Sequence, residues 1–317
     1  MMNRDLTVTV IIPVYRPGEK FGELMRRLAA QTVRPERILI MNTEEQYFNP
    51  GAVRGIPNVS VYHLKKSEFD HGGTRNRGAG MADTDLLLFM TMDAVPADTH
   101  LIEEIRRPFA DERVGAAYAR QLPNRDCSLL ERYTRQFNYG DESRIKTAAD
   151  LDTLGIKTFF CSNVCAAYRR STYQELGGFE HRTIFNEDMI FAGKLIQAGF
   201  AVAYCAGARV LHSHNYSGIE QFHRNFDLGV SQADHPEIFG MARSESEGMH
   251  MVKQTAGWLV HSGHILWLPK LIWQSGCKFL GYRLGKSYRK LPSGLIRRCT
   301  MNPEYWAKEQ EQQIPRC

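Results

Sequence analysis

The chain has 317 residues, room for one large α/β domain with an appendage or for two small domains. Its 43% hydrophobic content supports a sizeable core, and no run of about eighteen uncharged apolar residues marks a spanning helix. The net charge of +5 is local: Gly248 to Pro303 holds nine Lys/Arg and no Asp or Glu, while the rest of the chain carries 31 basic against 35 acidic residues. The start, MMNRDLTVTV, leads straight into a strand and has no signal-peptide pattern. Seven cysteines at irregular spacing include no CxxC pair. That excludes a disulfide framework or a zinc ribbon and leaves thiols in a reducing cytosol.

In chain order, Thr7 to Val14 is an apolar, β-branched strand, and Glu19 to Gln31 places Phe21, Leu24, Met25 and Leu28 at helical spacing. Arg37 to Met41 and Val59 to Leu64 are further strands, and Gly73 to Ala82 is a helix opened by two glycines. Leu86 to Met92 is a continuous apolar run, the pattern of a central buried strand. Asp98 can cap a helix with Leu101, Ile102, Ile105 and Phe109 on one face, and Val114 to Ala119 is another strand. After a polar stretch over 124–160, regularity returns at Asn163 to Tyr168, at Gly177-Gly178-Phe179, and in a helix-strand unit from Glu187 to Leu211. This alternation predicts an α/β fold, a mostly parallel sheet flanked by helices, with a C-terminal helical extension. A catalytic domain over 1–240 and a basic, aromatic-rich extension over 241–317 follow from the change in pattern.

Polar clusters fall at the ends of the apolar runs, where parallel sheets bind ligands. Asp93 follows the buried strand and suits Mg²⁺ or Mn²⁺, although an Asp there also caps loops. Glu187 and Asp188 open a helix. Acids in a first turn complement the helix dipole, but a carboxylate raised by burial and a like neighbour also makes a general base. His212 and His214 alternate at a strand end as metal ligands or phosphate contacts. His71 to Arg77 (HGGTRNR) combines a glycine-opened helix start with Arg75, a pairing that suits a diphosphate. It is not the GxxxxGKS/T loop of phosphate-binding NTPases.

Together, IIPVY, HGGTRNRGA, TMDAVP, SNVCAAYRR with GGF, NEDMIF and AGARVLHSHNYS resemble the inverting glycosyltransferase family 2, and within it the bacterial rhamnosyltransferase branch. The resemblance covers about residues 7–240. It implies a GT-A fold, a nucleotide-diphospho-sugar donor and a divalent metal, Mg²⁺ or Mn²⁺. By this likeness Pro13, Val14 and Tyr15 line the nucleobase pocket, and Arg75 contacts the nucleotide or its diphosphate, with Asn76 and Thr91 beside the donor. Asp93 matches the last Asp of the DxD motif and holds metal. Asp188 matches the catalytic base, with Glu187 next to it. His214 is the late metal ligand, with His212 as its rival. The chain departs from the family where Thr91 and Met92 replace the first two DxD positions. It departs again where Asn42-Thr43-Glu44-Glu45 replaces the usual acidic residue after the second strand, leaving Glu44 as the nearest substitute for base or ribose recognition.

The implied reaction is transfer of a sugar, L-rhamnose from dTDP-L-rhamnose, to a hydroxyl of a glycan or lipid-linked glycan in bacterial surface polysaccharide assembly. The rivals are a UDP- or GDP-sugar donor, a nucleotidyltransferase, and a non-catalytic nucleotide-sugar-binding protein. The acid-free tail carries Trp258, Trp267 and Trp273 among its lysines and arginines. It reads as a peripheral contact with an anionic membrane through 248–303, on the inner face of the cell membrane. A packed helical pair or a dimer interface is the competing reading. No base-reading motif accompanies the basic charge, so nucleic acid is not an expected partner.

Overall fold

The structure is a computed structural model that describes residues 5–241 and 245–307, with only the backbone of 245–247. The described chain groups into two compact units. The first takes the chain up to Cys127, then Arg135–His181 and Glu187–Ser213; the second takes Ser128–Thr134, Arg182–Asn186 and the chain from His214 on.

The first unit is built on nine strands: β1 (Val8–Tyr15), β2 (Arg37–Thr43), β3 (Val59–Leu64), β4 (Leu86–Met90), β5 (Val95–Pro96), β6 (Val114–Leu122), β7 (Arg144–Lys146), β8 (Cys165–Arg169) and β9 (Ala201–Leu211). Their order is β3-β2-β1-β4-β8-β6-β9-β5, with β7 also on β9. β1 to β4, β6 and β9 all run in one direction, as the alternation predicts; β5, β7 and β8 oppose them. The reversal at β8 has a consequence for function. Met90 pairs with Cys165, so the start of β8 lies at the edge where its neighbours end, and the Thr91 amide donates to the Val164 carbonyl at 3.1 Å.

Strand alternation separates two apolar layers. Val8, Val10, Ile12 and Val14 of β1 face one way with Ile38, Ile40, Leu86 and Leu88. The helix Glu19–Ala29 buries Phe21, Leu24, Met25 and Leu28 on that layer, the four residues its spacing singles out. Opposite, aromatic rings gather: Phe179 lies 5.0 Å from both Phe89 and Tyr173. The helix His71–Gly80 approaches β1 closely because Gly78 has no side chain; a Cβ there would sit 2.6 Å from Ile11 Cγ2.

The second unit centres on two helices, Gly218–Asp234 and Leu268–Lys286. Ser217 and Glu220 form a reciprocal capping box at the start of the first. Gly281 and Gly285 let the backbones meet: a Cβ on Gly285 would lie 2.1 Å from the Phe226 carbonyl oxygen. Gly285→Ala is therefore expected to lower stability by roughly 1–3 kcal/mol, because a backbone atom, not a movable side chain, is struck. Gly276 on the same helix has nothing within 4 Å of such a Cβ, so Gly276→Ala should gain up to about 1 kcal/mol from helix propensity. Thermal unfolding of the two variants checks the contrast. No helix among the described residues is long and apolar enough to cross a membrane.

Candidate active site

The ends of β1, β2, β4, β6 and β9 and the start of β8 share one edge of the sheet. This edge receives most of the residues that the sequence singles out. Pro13 and Tyr15 are half-buried there and Val14 is buried. Tyr15 meets Tyr47 edge-on at 5.9 Å, and the Arg16 guanidinium lies 4.3 Å from the Tyr47 ring centroid. Glu44 follows β2 with φ of 65°, and its Oε1 accepts from the Lys66 amide at 2.6 Å. Four buried side-chain atoms near this edge have no hydrogen-bond partner among the described residues: Asn42 Oδ1, Thr43 Oγ1, Thr91 Oγ1 and Arg75 Nε. Buried polar atoms are nearly always paired in folded proteins, so this concentration marks an edge shaped to receive polar groups.

The paired carboxylates meet three elements at once. Asp188 Oδ2 accepts from the Asn163 amide at 2.9 Å, and Oδ1 accepts from the Met189 amide at 2.8 Å. Glu187 Oε1 accepts from Asn163 Nδ2 at 3.2 Å and lies 3.2 Å from Arg75 Nη1. Arg75 Nη1 also donates to the His71 carbonyl at 2.8 Å, and the Tyr168 hydroxyl donates to Asn163 Oδ1 at 2.9 Å. Asn163 thus bridges both acids and is itself held from the aromatic layer. Lys146 steadies the turn before it, donating to the carbonyls of Lys157, at 3.0 Å, and Phe160, at 2.5 Å.

This arrangement drives the two acids apart electrically. Burial pushes the Glu187 carboxyl up, but the Arg75 guanidinium, His71 and the Asn163 amide outweigh it and hold the group below its usual value. Burial and then the Glu187 charge raise Asp188 to about 7, against the pull of the two backbone amides. Burial likewise holds His71 below the ordinary imidazole value. One acid is held toward its anion and its neighbour is pushed toward its protonated form. Two carboxylates with opposed environments are a recurring means of dividing such roles.

Asp93 sits beyond β4, half-buried, with Oδ2 3.6 Å from Nε2 of the buried His212. His212 Nδ1 lies 3.1 Å from Gln121 Oε1, an atom that also accepts from Arg135. A hydrogen bond at Nδ1 fixes the tautomer and turns the lone pair of Nε2 toward Asp93. A carboxylate oxygen and an oriented imidazole nitrogen are a donor set that fits a divalent ion. His214 is the first residue of the second unit after β9, and its ring stacks on Tyr216 at 5.2 Å.

Two residues take different surroundings from the ones their motif suggests. Asn76 is occupied by the aromatic layer: its Oδ1 accepts from the Tyr173 hydroxyl and the Phe179 amide, and its Nδ2 donates to the Phe179 carbonyl. Arg75 turns inward to Glu187. Asn163, Tyr168 and Gln121 join the site although no spacing rule picks them out; Asn163 stands in the SNVC segment, and only the reversal of β8 brings it to this edge.

The orphaned polar atoms, the raised carboxylate and the Asp/His pair all belong to the sheet unit. Residues 9–177 match the family described as glycosyl transferase family 2. The chain is 39% identical over 305 residues to the O-antigen chain rhamnosyltransferase RfbN of Salmonella typhimurium, covering 95% of this chain and 96% of that one. It is 40% identical over 303 residues to the O-antigen chain rhamnosyltransferase WbaN of Salmonella anatum, covering 94% and 95%. The chain belongs to glycosyl transferase family 2 and is a glycosyltransferase. Its fold is GT-A: a mannosyltransferase from Pyrobaculum calidifontis, solved with GDP-Man and Mn²⁺, superposes with a TM-score of 0.59 at 14% identity, covering 91% of this chain and 89% of that one. TarS 1–349 of S. aureus with UDP-GlcNAc gives 0.53 at 14% identity, covering 90% and 92%.

Proposed function

We propose that this enzyme transfers L-rhamnose from dTDP-L-rhamnose, with inversion, to a hydroxyl of a glycan or lipid-linked glycan during bacterial surface polysaccharide assembly. The reading rests on two near-full-length relatives at 39% and 40% identity, both named as O-antigen chain rhamnosyltransferases. The observation that carries the mechanism is the raised Asp188 beside Glu187, an acid held as its anion by Arg75.

Asp188 takes the proton from the acceptor hydroxyl as its oxygen attacks the anomeric carbon. Glu187 holds Arg75 and accepts from Asn163, whose backbone amide donates to the base. Pro13, Val14, Tyr15, Glu44 and the Asn42-Thr43 end of β2 line the nucleoside end of the donor. Thr91, whose buried hydroxyl has no partner among the described residues, faces the donor beside Asp93, and Asn76 supports the donor side from the aromatic layer. Asp93 and His212 would hold Mg²⁺ or Mn²⁺, with His214 the rival ligand that the family likeness implies; the ion would supply positive charge for the leaving diphosphate. The catalytic machinery lies within residues 1–240, and 241–317 form the extension. The enzyme works at the cytoplasmic face of the membrane, where a lipid-linked acceptor is presented.

Thermal-shift titration tests the donor. A ligand that binds only the folded state raises its stability. dTDP and dTDP-L-rhamnose with Mn²⁺ should raise the melting temperature and chelator should remove the gain. A shift with UDP- or GDP-sugars alone would replace the donor, and binding without turnover over any acceptor would point to a non-catalytic protein. Asp93→Asn should weaken the Mn²⁺-dependent donor affinity by at least the roughly tenfold that altered metal surroundings cost. Isothermal titration of dTDP-L-rhamnose with and without Mn²⁺ checks it.

A further inference from the structure

The helix Leu268–Lys286 is apolar on two sides; one closes on the helix Gly218–Asp234, and the other is exposed apart from the edge where Trp273 meets Gly218. Gly281 and Gly285 face the helix Gly218–Asp234 and close on its backbone. The other side presents Ile272 at 70% exposure, Trp273 at 59%, Phe279 at 56% and Leu280 at 58%. Positions 272, 273, 276, 279, 280 and 283 fall on one helical face. The short turn Ile265–Trp267 continues it, with Ile265 55% and Leu266 93% exposed. Trp273 is held in place across Gly218, where a Cβ would lie 2.2 Å from its Nε1. Exposed apolar patches of this extent on soluble proteins mark interaction sites.

The charge around the patch selects the partner. No acidic residue occurs from Gly248 to Pro303, and Lys270, Arg283 and Lys286 stand exposed along the same helix. The Lys270 ammonium lies 4.9 Å from the Trp267 ring. Large apolar side chains that protrude singly, ringed by cations, match the interfacial zone of an anionic lipid bilayer better than a flat protein partner. Such a face lies on the membrane and does not cross it.

We infer that the turn Ile265–Trp267 and the outer face of Leu268–Lys286 dock the enzyme on an anionic lipid surface, with Leu266, Ile272 and Phe279 entering the acyl boundary. This deepens the proposed function by giving its lipid-linked acceptor a meeting place, and it rests on that reading for its purpose but not for its chemistry.

The test is flotation of the full chain with phosphatidylglycerol-containing vesicles and with pure phosphatidylcholine vesicles. The wild type should bind the anionic vesicles, release at high salt, and bind the neutral ones weakly. A Leu266→Glu/Ile272→Glu/Phe279→Glu variant should lose at least about tenfold in partitioning, while its thermal shift with dTDP-L-rhamnose is unchanged. The three side chains are exposed, so their replacement removes little packing; an unchanged melting temperature confirms the fold. Binding that survives the triple substitution overturns the inference. So does equal binding to neutral vesicles, or a wild-type dimer without lipid that the variant converts to monomer, which assigns the face to a second copy. Failure of the donor shift with intact vesicle binding would count against the donor assignment alone.

Discussion

Asp188→Asn lowers turnover by about a hundredfold to ten-thousandfold, the range that loss of a positioned base costs. Donor affinity should hold, because the substituted amide has the carboxylate's size and Asp188 is assigned to the acceptor. Both Asp188 oxygens accept from backbone amides, at 2.9 and 2.8 Å. The new NH₂ must turn against one of those donors, so a stability loss of about 1–3 kcal/mol accompanies the change. A melting curve taken beside the rate separates the two effects. The pH profile is the sharper readout. Wild-type activity should fall as pH drops through about 7, where Asp188 takes up its proton. The variant should lose that limb. Stability responds with the opposite sign. Because the folded state raises this pKa, it favours the protonated form below the unfolded value of about 3.9, and that advantage is lost as pH rises through the folded value. Through this group, acid slows the enzyme without unfolding it.

Arg75→Met should cost about 3–5 kcal/mol of folding stability, since it strands a buried carboxylate without its counter-charge. Arg75 and Glu187 side chains are only 7% and 10% exposed and stand 3.2 Å apart, so solvent replaces little of what is lost. The Glu187 carboxyl would then rise in pKa under burial alone. Arg75→Met with Glu187→Gln removes both charges and should recover much of the loss. Denaturant unfolding of the single and double variants measures the coupling. If the single variant kept its stability, Arg75 would be a ligand contact with no structural part.

The sequence makes the framework legible where local pattern carries it. Val59–Leu64 has the bounds its β-branched run predicts, and Phe21, Leu24, Met25 and Leu28 bury together as their spacing requires. The polar residues that follow β1, β4 and β9 were legible too, since each follows an apolar run and those runs end on one edge. What the sequence could not supply is pairing across the sheet. The reversal of β8 places Asn163 between Glu187 and Asp188, a contact across 24 and 25 residues that no helical or strand period encodes. Arg75 stands in a motif that suits a diphosphate, yet its partner is a carboxylate 112 positions away, brought near by tertiary packing alone. In the tail, composition suggested a membrane-facing segment, but only the glycine-lined contact with Gly218–Asp234 decides which side of Leu268–Lys286 is covered.

The most direct measurement is turnover of dTDP-L-rhamnose by the wild type and by Asp188→Asn side by side, with Mn²⁺ and with chelator. Released dTDP gives the rate and nuclear magnetic resonance gives the anomeric configuration of the first product. The account expects metal-dependent turnover with an inverted product, and a loss of at least about a hundredfold in the variant. Retained configuration, or a variant as fast as the wild type, would contradict it.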